Sequence, residues 1–201
     1  MPAVKLTKNE LKVQKDALKR YRRYLPTLIL KKQQLQMVIR QQEIRLAEES
    51  EKRQRMADEA DTWMDLFAER FPFQDWLRIR TVFTETANIA GVEVTVFKGV
   101  DFSTAPHDLF QTPPWVDDAL LYIGQLSRLD VEIGLLRRQI ALLEAELRVT
   151  SQRVNLFEKV KIPQAADSIR KIQIFLGDQQ TAAVVRGKTA KKNLTRRLVA
   201  T

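Results

Sequence analysis

Cysteine is absent from the 201 residues, histidine occurs once, and glycine and proline number six and seven. Without cysteine the chain has no disulfides and no thiolate metal sites, a composition that fits a reducing compartment. His107, next to Pro106, is the only imidazole; it leaves no Cys–His or Ser–His–Asp set to assemble and no partner for a zinc site, and reads as a solvated loop side chain. Glycine is confined to residues 91–187, so little of the chain is available for loops. No apolar run approaches the roughly 20 residues of a membrane-spanning helix, and the start MPAVKLTKNELKVQK lacks the apolar core of a signal peptide. The expectation is a soluble, intracellular, helix-rich chain.

What the chain does have is charge, laid out in blocks. Residues 1–40 carry 11 Lys/Arg against 2 acids, residues 41–147 carry 11 against 20, and residues 148–201 carry 12 against 3. If helices at the two ends lie antiparallel, both basic blocks meet at one tip and the acidic block forms the other end. Such a rod suits two different partners. A net charge of +9 by itself fits nucleic acid, anionic lipid or an acidic protein surface.

The fold expected is mainly α: a long antiparallel two-helix coiled coil formed by N- and C-terminal helices, with a short β-hairpin between them. The segments are an N-terminal helix in 1–70, a middle region in 71–114, and a C-terminal helix with a basic tail in 115–201. Thr7 followed by Glu10 fits a capping box. From there the tracks Leu11, Leu18, Leu25, Lys32, Ile39, Leu46 and Gln14, Tyr21, Leu28, Leu35, Gln42, Glu49, Met56 keep a heptad beat. Pro26 removes one helix hydrogen bond, and a kink without a break is expected there. After Thr112, Pro113 and Pro114, the series Leu126, Leu129, Ile133, Leu136, Ile140, Leu143, Leu147, Thr150, Val154, Phe157 alternates steps of 3 and 4. Helical composition continues through Ile169, Ile172, Phe175 and Leu176, with Pro163 as a second kink. If residue 57 lies beside residue 126 or a little beyond, Pro26 falls level with 157–163. The two prolines would then bend both helices together, and about 15–25 C-terminal residues would project as a tip.

Between the helices, residues 80–89 and 92–97 are rich in Val, Thr, Phe and Ile and are separated by Ala90 and Gly91, which predicts a hairpin. Trp63, Phe67, Phe71, Phe73 and Trp76 precede it, where the first helix is expected to end at Pro72. They read either as a local core or as a docking face.

Catalysis finds no support in the residues. Gly187, Lys188 and Thr189 resemble the end of a phosphate-binding loop, but Ala182 stands where its first glycine belongs and no strand precedes it. Asp117 and Asp118 precede a helix, where carboxylates stabilise the N-terminus. No catalytic, cofactor-binding or metal-binding residue is expected. The basic ends are the candidate contacts: Lys12, Lys15, Lys19, Arg20, Arg22 and Arg23 on the first helix, and Lys188, Lys191, Lys192, Arg196 and Arg197 near the end. They fit a solvated face, a nucleic-acid surface with only Tyr21 and Tyr24 to stack, or insertion into a protein cavity.

The segment Arg153, Val154, Asn155, Leu156, Phe157, Glu158, Lys159, Val160, Lys161, Ile162, Pro163 resembles the R-V-N-x-x-E-x-x-x-I-P signature of the D subunits of V-type and A-type ATPases. Lys5, Leu6 and Thr7 before a lysine-rich heptad helix are similar to that family's start. Phe175, Leu176, Gly177, Asp178, Gln179 and Gln180 with the basic tail look most like its bacterial V-type branch. Pro26 stands outside the family pattern, and the middle section does not match it in detail. The resemblance implies a non-catalytic central rotor shaft, cytoplasmic and peripheral to the membrane, coupling ATP hydrolysis or synthesis to H+ or Na+ translocation. Its implied partners are the nucleotide-binding A and B subunits of the catalytic hexamer, the small F subunit of the rotor and a funnel-shaped subunit on the membrane rotor ring. Cofactors, nucleic acid and membrane insertion are not implied. By the same analogy the hairpin protrudes and modulates hydrolysis. A coiled-coil scaffold and a nucleic-acid-binding coiled coil are the alternatives.

Overall fold

Thr7 opens the first helix as a cap: its hydroxyl accepts from the Glu10 N–H at 3.2 Å, and its carbonyl accepts from the Leu11 N–H. Only that arm of the expected capping box forms, because the Glu10 carboxylate accepts instead from the Gln14 amide at 2.8 Å. The computed structural model describes residues 5–61, 76–105, 112–113 and 115–199, with the side chains of 61 and 194–199 outside the described set. Helix α1, Lys8–Asp61, passes unbroken through Pro26. It is followed by strands β1, Leu77–Ile89, and β2, Val92–Thr104, then by helix α2, Trp115–Asn155, a π-helical turn, Leu156–Lys161, and helix α3, Ile162–Val199. Trp63, Phe67, Phe71, Pro72, Phe73, His107 and Pro114 lie outside the described residues.

The chain divides into two compact units, Met1–Leu30 with Thr150–Thr201, and Lys31–Val149. In the second, α1 and α2 run antiparallel, with ion pairs that climb one helix as they descend the other: Lys31–Glu146 at 2.6 Å, Arg45–Glu132 at 2.7 Å and Arg53–Asp130 at 3.1 Å. Their core is Leu35, Ile39, Ile140 and Leu143, with Val38, Leu46 and Leu147 packed against it. All but Val38 are heptad positions, so burial of apolar side chains every 3 or 4 residues selects the pairing.

The hairpin lies on this helix pair. Ile89, Ala90 and Val92, around its turn, pack against the same core, and Val94 is buried. Ala90 (φ 52°) and Gly91 (φ 81°) both take the left-handed conformation of a tight two-residue turn, and the Gly91 N–H donates to the Asn88 side chain at 2.9 Å. Buried Gln139 of α2 donates its side-chain amide to the Thr95 carbonyl at 2.5 Å, fastening β2 to the helix. The strands are longer than the sequence suggested, extending to Leu77 and Thr104, because the irregularities between Ile79 and Thr81 and between Phe83 and Thr84 let pairing continue past the turn-proximal half. The turn end is docked, while most of β1 is exposed.

In the unit Met1–Leu30 with Thr150–Thr201, Ala17 of α1 is buried, as are Thr150, Val154, Ala165 and Ile172 along the C-terminal helices. The Tyr21 ring stacks on Phe157, centroids 5.3 Å apart. This contact corrects the expected register. Pro26 lies five residues beyond Tyr21 and is level with position 152; Pro163 lies six beyond Phe157 and is level with position 15. The prolines are therefore separated along the pair by some eleven residues, about 16 Å, and do not act as a common bend. From Gly177 to Asn193 every side chain is exposed, so this stretch of α3 has no helix against it among the described residues.

Candidate partner-binding surfaces

On α1 the side turned toward the C-terminal helices is Leu11, Gln14, Ala17, Leu18, Tyr21, Leu25 and Leu28, all buried or half-buried. Lys12, Lys15, Lys19 and Arg22 share the flank one position on from that seam, and Arg20 and Arg23 lie further round. All six are exposed, and at about 100° per residue they spread as a partial collar over a little under half of the circumference of α1, on the side away from the seam.

Lys188, Lys191 and Lys192 are exposed on this stretch of α3; Arg196 and Arg197 belong to the same helix, their side chains outside the described set. The hydroxyls of Thr181 and Thr189 donate back to the carbonyls of Gly177 and Val185 at 3.1 and 3.0 Å. Val184 and Val185, 57% and 56% exposed, lie just before these lysines. Charge counting passed over the valines; their adjacency in a stretch without seam neighbours is the signal that would have found them.

The Arg153–Pro163 segment spans the π turn. Val154 is buried, Ile162 half-buried, and Arg153, Asn155, Glu158 and Pro163 are exposed. Its centre is the π turn, in which the Ile162 N–H reaches five residues back to the Phe157 carbonyl.

Elsewhere the chemistry is structural. Gly187, Lys188 and Thr189 lie inside α3, where backbone N–H groups are committed to helix bonds and cradle no phosphate. Asp117 and Asp118 occupy the first turn of α2. Among the described residues no group of three His, Cys, Asp or Glu could hold a metal ion, and no helix is long and apolar enough to cross a membrane. The exposed face of the hairpin carries the pair Lys98–Glu85 at 2.6 Å, and the Lys98 hydrogen bond and charge hold the Glu85 carboxyl below the usual carboxylate range. Two grooves flank the hairpin on α2: one of about 600 Å³ lined by Val82, Val131, Leu135 and Leu142, and one of about 590 Å³ lined by Leu77, Phe102, Leu120 and Leu121.

The family model for the D subunit of ATP synthase matches residues 10–192. The chain belongs to that family. It is 49% identical over 197 residues to the V-type ATP synthase D subunit of Borreliella burgdorferi, with 98% of each chain covered. It is 36% identical over 198 residues to the protein of that name in Chlamydia pneumoniae, covering 95% of this chain and 93% of the relative. The Chlamydia muridarum relative is 38% identical over 202 residues, with 95% and 96% covered. The match runs through Pro26 and the middle section, so neither departure noted in the sequence removes the chain from the family.

Proposed function

We propose that this chain is the central stalk subunit of a V-type rotary ATPase, turning within a ring of nucleotide-binding subunits and linking their ATP chemistry to ion translocation. The observation that carries this reading is near-full-length similarity to V-type ATP synthase D subunits, 49% identical across 98% of both chains in one case. The architecture suits a shaft, since helices α1 and α2 of 54 and 41 residues transmit torque where a loop-rich chain would yield. Catalysis then belongs to the surrounding subunits, and this chain binds no nucleotide.

The exposed stretch of α3 and the basic collar of α1 contact the catalytic ring of A and B subunits. The acidic segment 41–147, carrying the hairpin, faces the small F subunit of the rotor and the funnel-shaped subunit on the membrane rotor ring, on the cytoplasmic side. A bearing needs many weak contacts, and exposed lysines and arginines supply them at about 0–1 kcal/mol each. The scaffold and nucleic-acid readings gain nothing from the comparisons and are set aside.

Affinity purification of the tagged chain from its own cells, with mass spectrometry of what is bound, tests the assignment. Recovery of large nucleotide-binding subunits together with small rotor subunits supports it; nucleic acid or unrelated coiled-coil proteins in their place would refute it.

A further inference from the structure

The C-terminal helices carry one residue too many for their own beat, and the π turn absorbs it. Thr150 and Val154 are buried and Phe157 stacks on Tyr21. Continued in steps of 4 and 3, that seam would next use Lys161, Gln164, Ser168 and Lys171; Lys161, Gln164 and Lys171 are exposed, and Ser168 alone is half-buried. The positions turned inward are Ile162, Ala165, Ile169 and Ile172, each one residue later, with Ala165 and Ile172 buried and Ile162 and Ile169 half-buried. A π turn closes its hydrogen bond over five residues instead of four and so takes up the extra one. On α1 the seam from Leu11 to Leu28 keeps its beat with no such turn.

The same segment is weakly held. None of its six residues is buried, the stack of Phe157 on Tyr21 is the one ring contact that holds it among the described residues, and Pro163, just beyond it, has no N–H to donate. An α-helical stretch of similar length, such as 143–150, is pinned by Leu143 and Thr150, both almost fully buried. We infer that residues 156–161 are a torsionally soft joint: the turn opens locally, and α3 rotates about its own axis against the α1 seam by less than one residue step, about 100°. The cationic end of α3 follows that rotation. Its use as compliance between tip and stalk rests on the function proposed above, whereas the joint is a property of this chain and is tested on it alone.

The test is amide hydrogen exchange on the purified full-length chain. Amides 158–162 are expected to exchange about tenfold or more faster than those of 150–154 and 165–172. Deletion of Lys159 should remove the extra residue, close a continuous α-helix, abolish that difference and leave the melting temperature within a few degrees. Deletion of Asp16 from α1, which has no π turn to absorb it, should lower the melting temperature sharply. Uniform protection across 150–172 in the unaltered chain would overturn the joint, and so would a Lys159 deletion as damaging as that of Asp16.

Discussion

The ring of Tyr21 lies on the ring of Phe157 with planes 28° from parallel, and this contact fixes which turn of α1 faces which turn of the C-terminal helices. Aromatic pairs of this kind contribute about 0.5–1.5 kcal/mol beyond area burial. A double-mutant cycle with Tyr21→Leu and Phe157→Leu, read by chemical denaturation, should return a coupling in that range. Zero coupling would mean that the rings abut without specifying register.

Gln42 sits on the α1 seam with its side-chain oxygen buried and without a hydrogen-bond partner among the described residues. An unsatisfied buried acceptor destabilises by about 1–3 kcal/mol, so Gln42→Leu should raise stability by about 1 kcal/mol or more. A stabilised variant that assembles normally identifies Gln42 as dispensable. A destabilised one would show that its amide holds the pairing in register.

Val94 and Gln139 anchor the hairpin. Val94→Ala removes two buried methyl groups and should cost about 1–2 kcal/mol by the usual value per carbon, with faster amide exchange in β1 and β2. Helical content should be unchanged. A loss of helicity in step with the hairpin would show that the hairpin holds the helices together.

Glu85 is held below the ordinary glutamate value by Lys98, so its ionised form is favoured in the folded chain. Its contribution is present above the unfolded pKa of about 4.3 and is lost as pH falls through the lower folded value. Carboxyl NMR titration should place the Glu85 midpoint below the ordinary glutamate value, and Lys98→Gln should bring it back. An unmoved midpoint in that variant would contradict the pairing.

Replacing Lys188, Lys191, Lys192, Arg196 and Arg197 together by glutamine should weaken association with the catalytic ring by about 10- to 100-fold, steeply dependent on salt, since exposed charge pairs are individually weak and act in number. Circular dichroism should show unchanged helicity. Collapse of helicity would assign those residues to folding.

The helices and hairpin were legible because burial repeats at fixed periods: Leu35, Ile39, Ile140 and Leu143 fall on the seams, and Ala90-Gly91 sits at the turn. The register was not. Heptads define which face of a helix is buried but not how far one helix is slid along another, and here Tyr21–Phe157 decides it. The π turn was hidden for a related reason, since a one-residue phase jump between Phe157 and Ile162 looks like two separate apolar series until burial shows both facing α1. Of the candidate contacts, sequence located the cations but not Val184 and Val185 beside them.

The central claim is rotation, and the absence of native cysteine makes it directly measurable. Thr86→Cys on the exposed strand β1 offers one attachment point for a bead on the chain assembled with its catalytic subunits and fixed to a surface. Addition of ATP should produce unidirectional stepwise rotation of the bead that stops when ATP is removed. A bead that stays fixed while the assembled head hydrolyses ATP would contradict the stalk assignment.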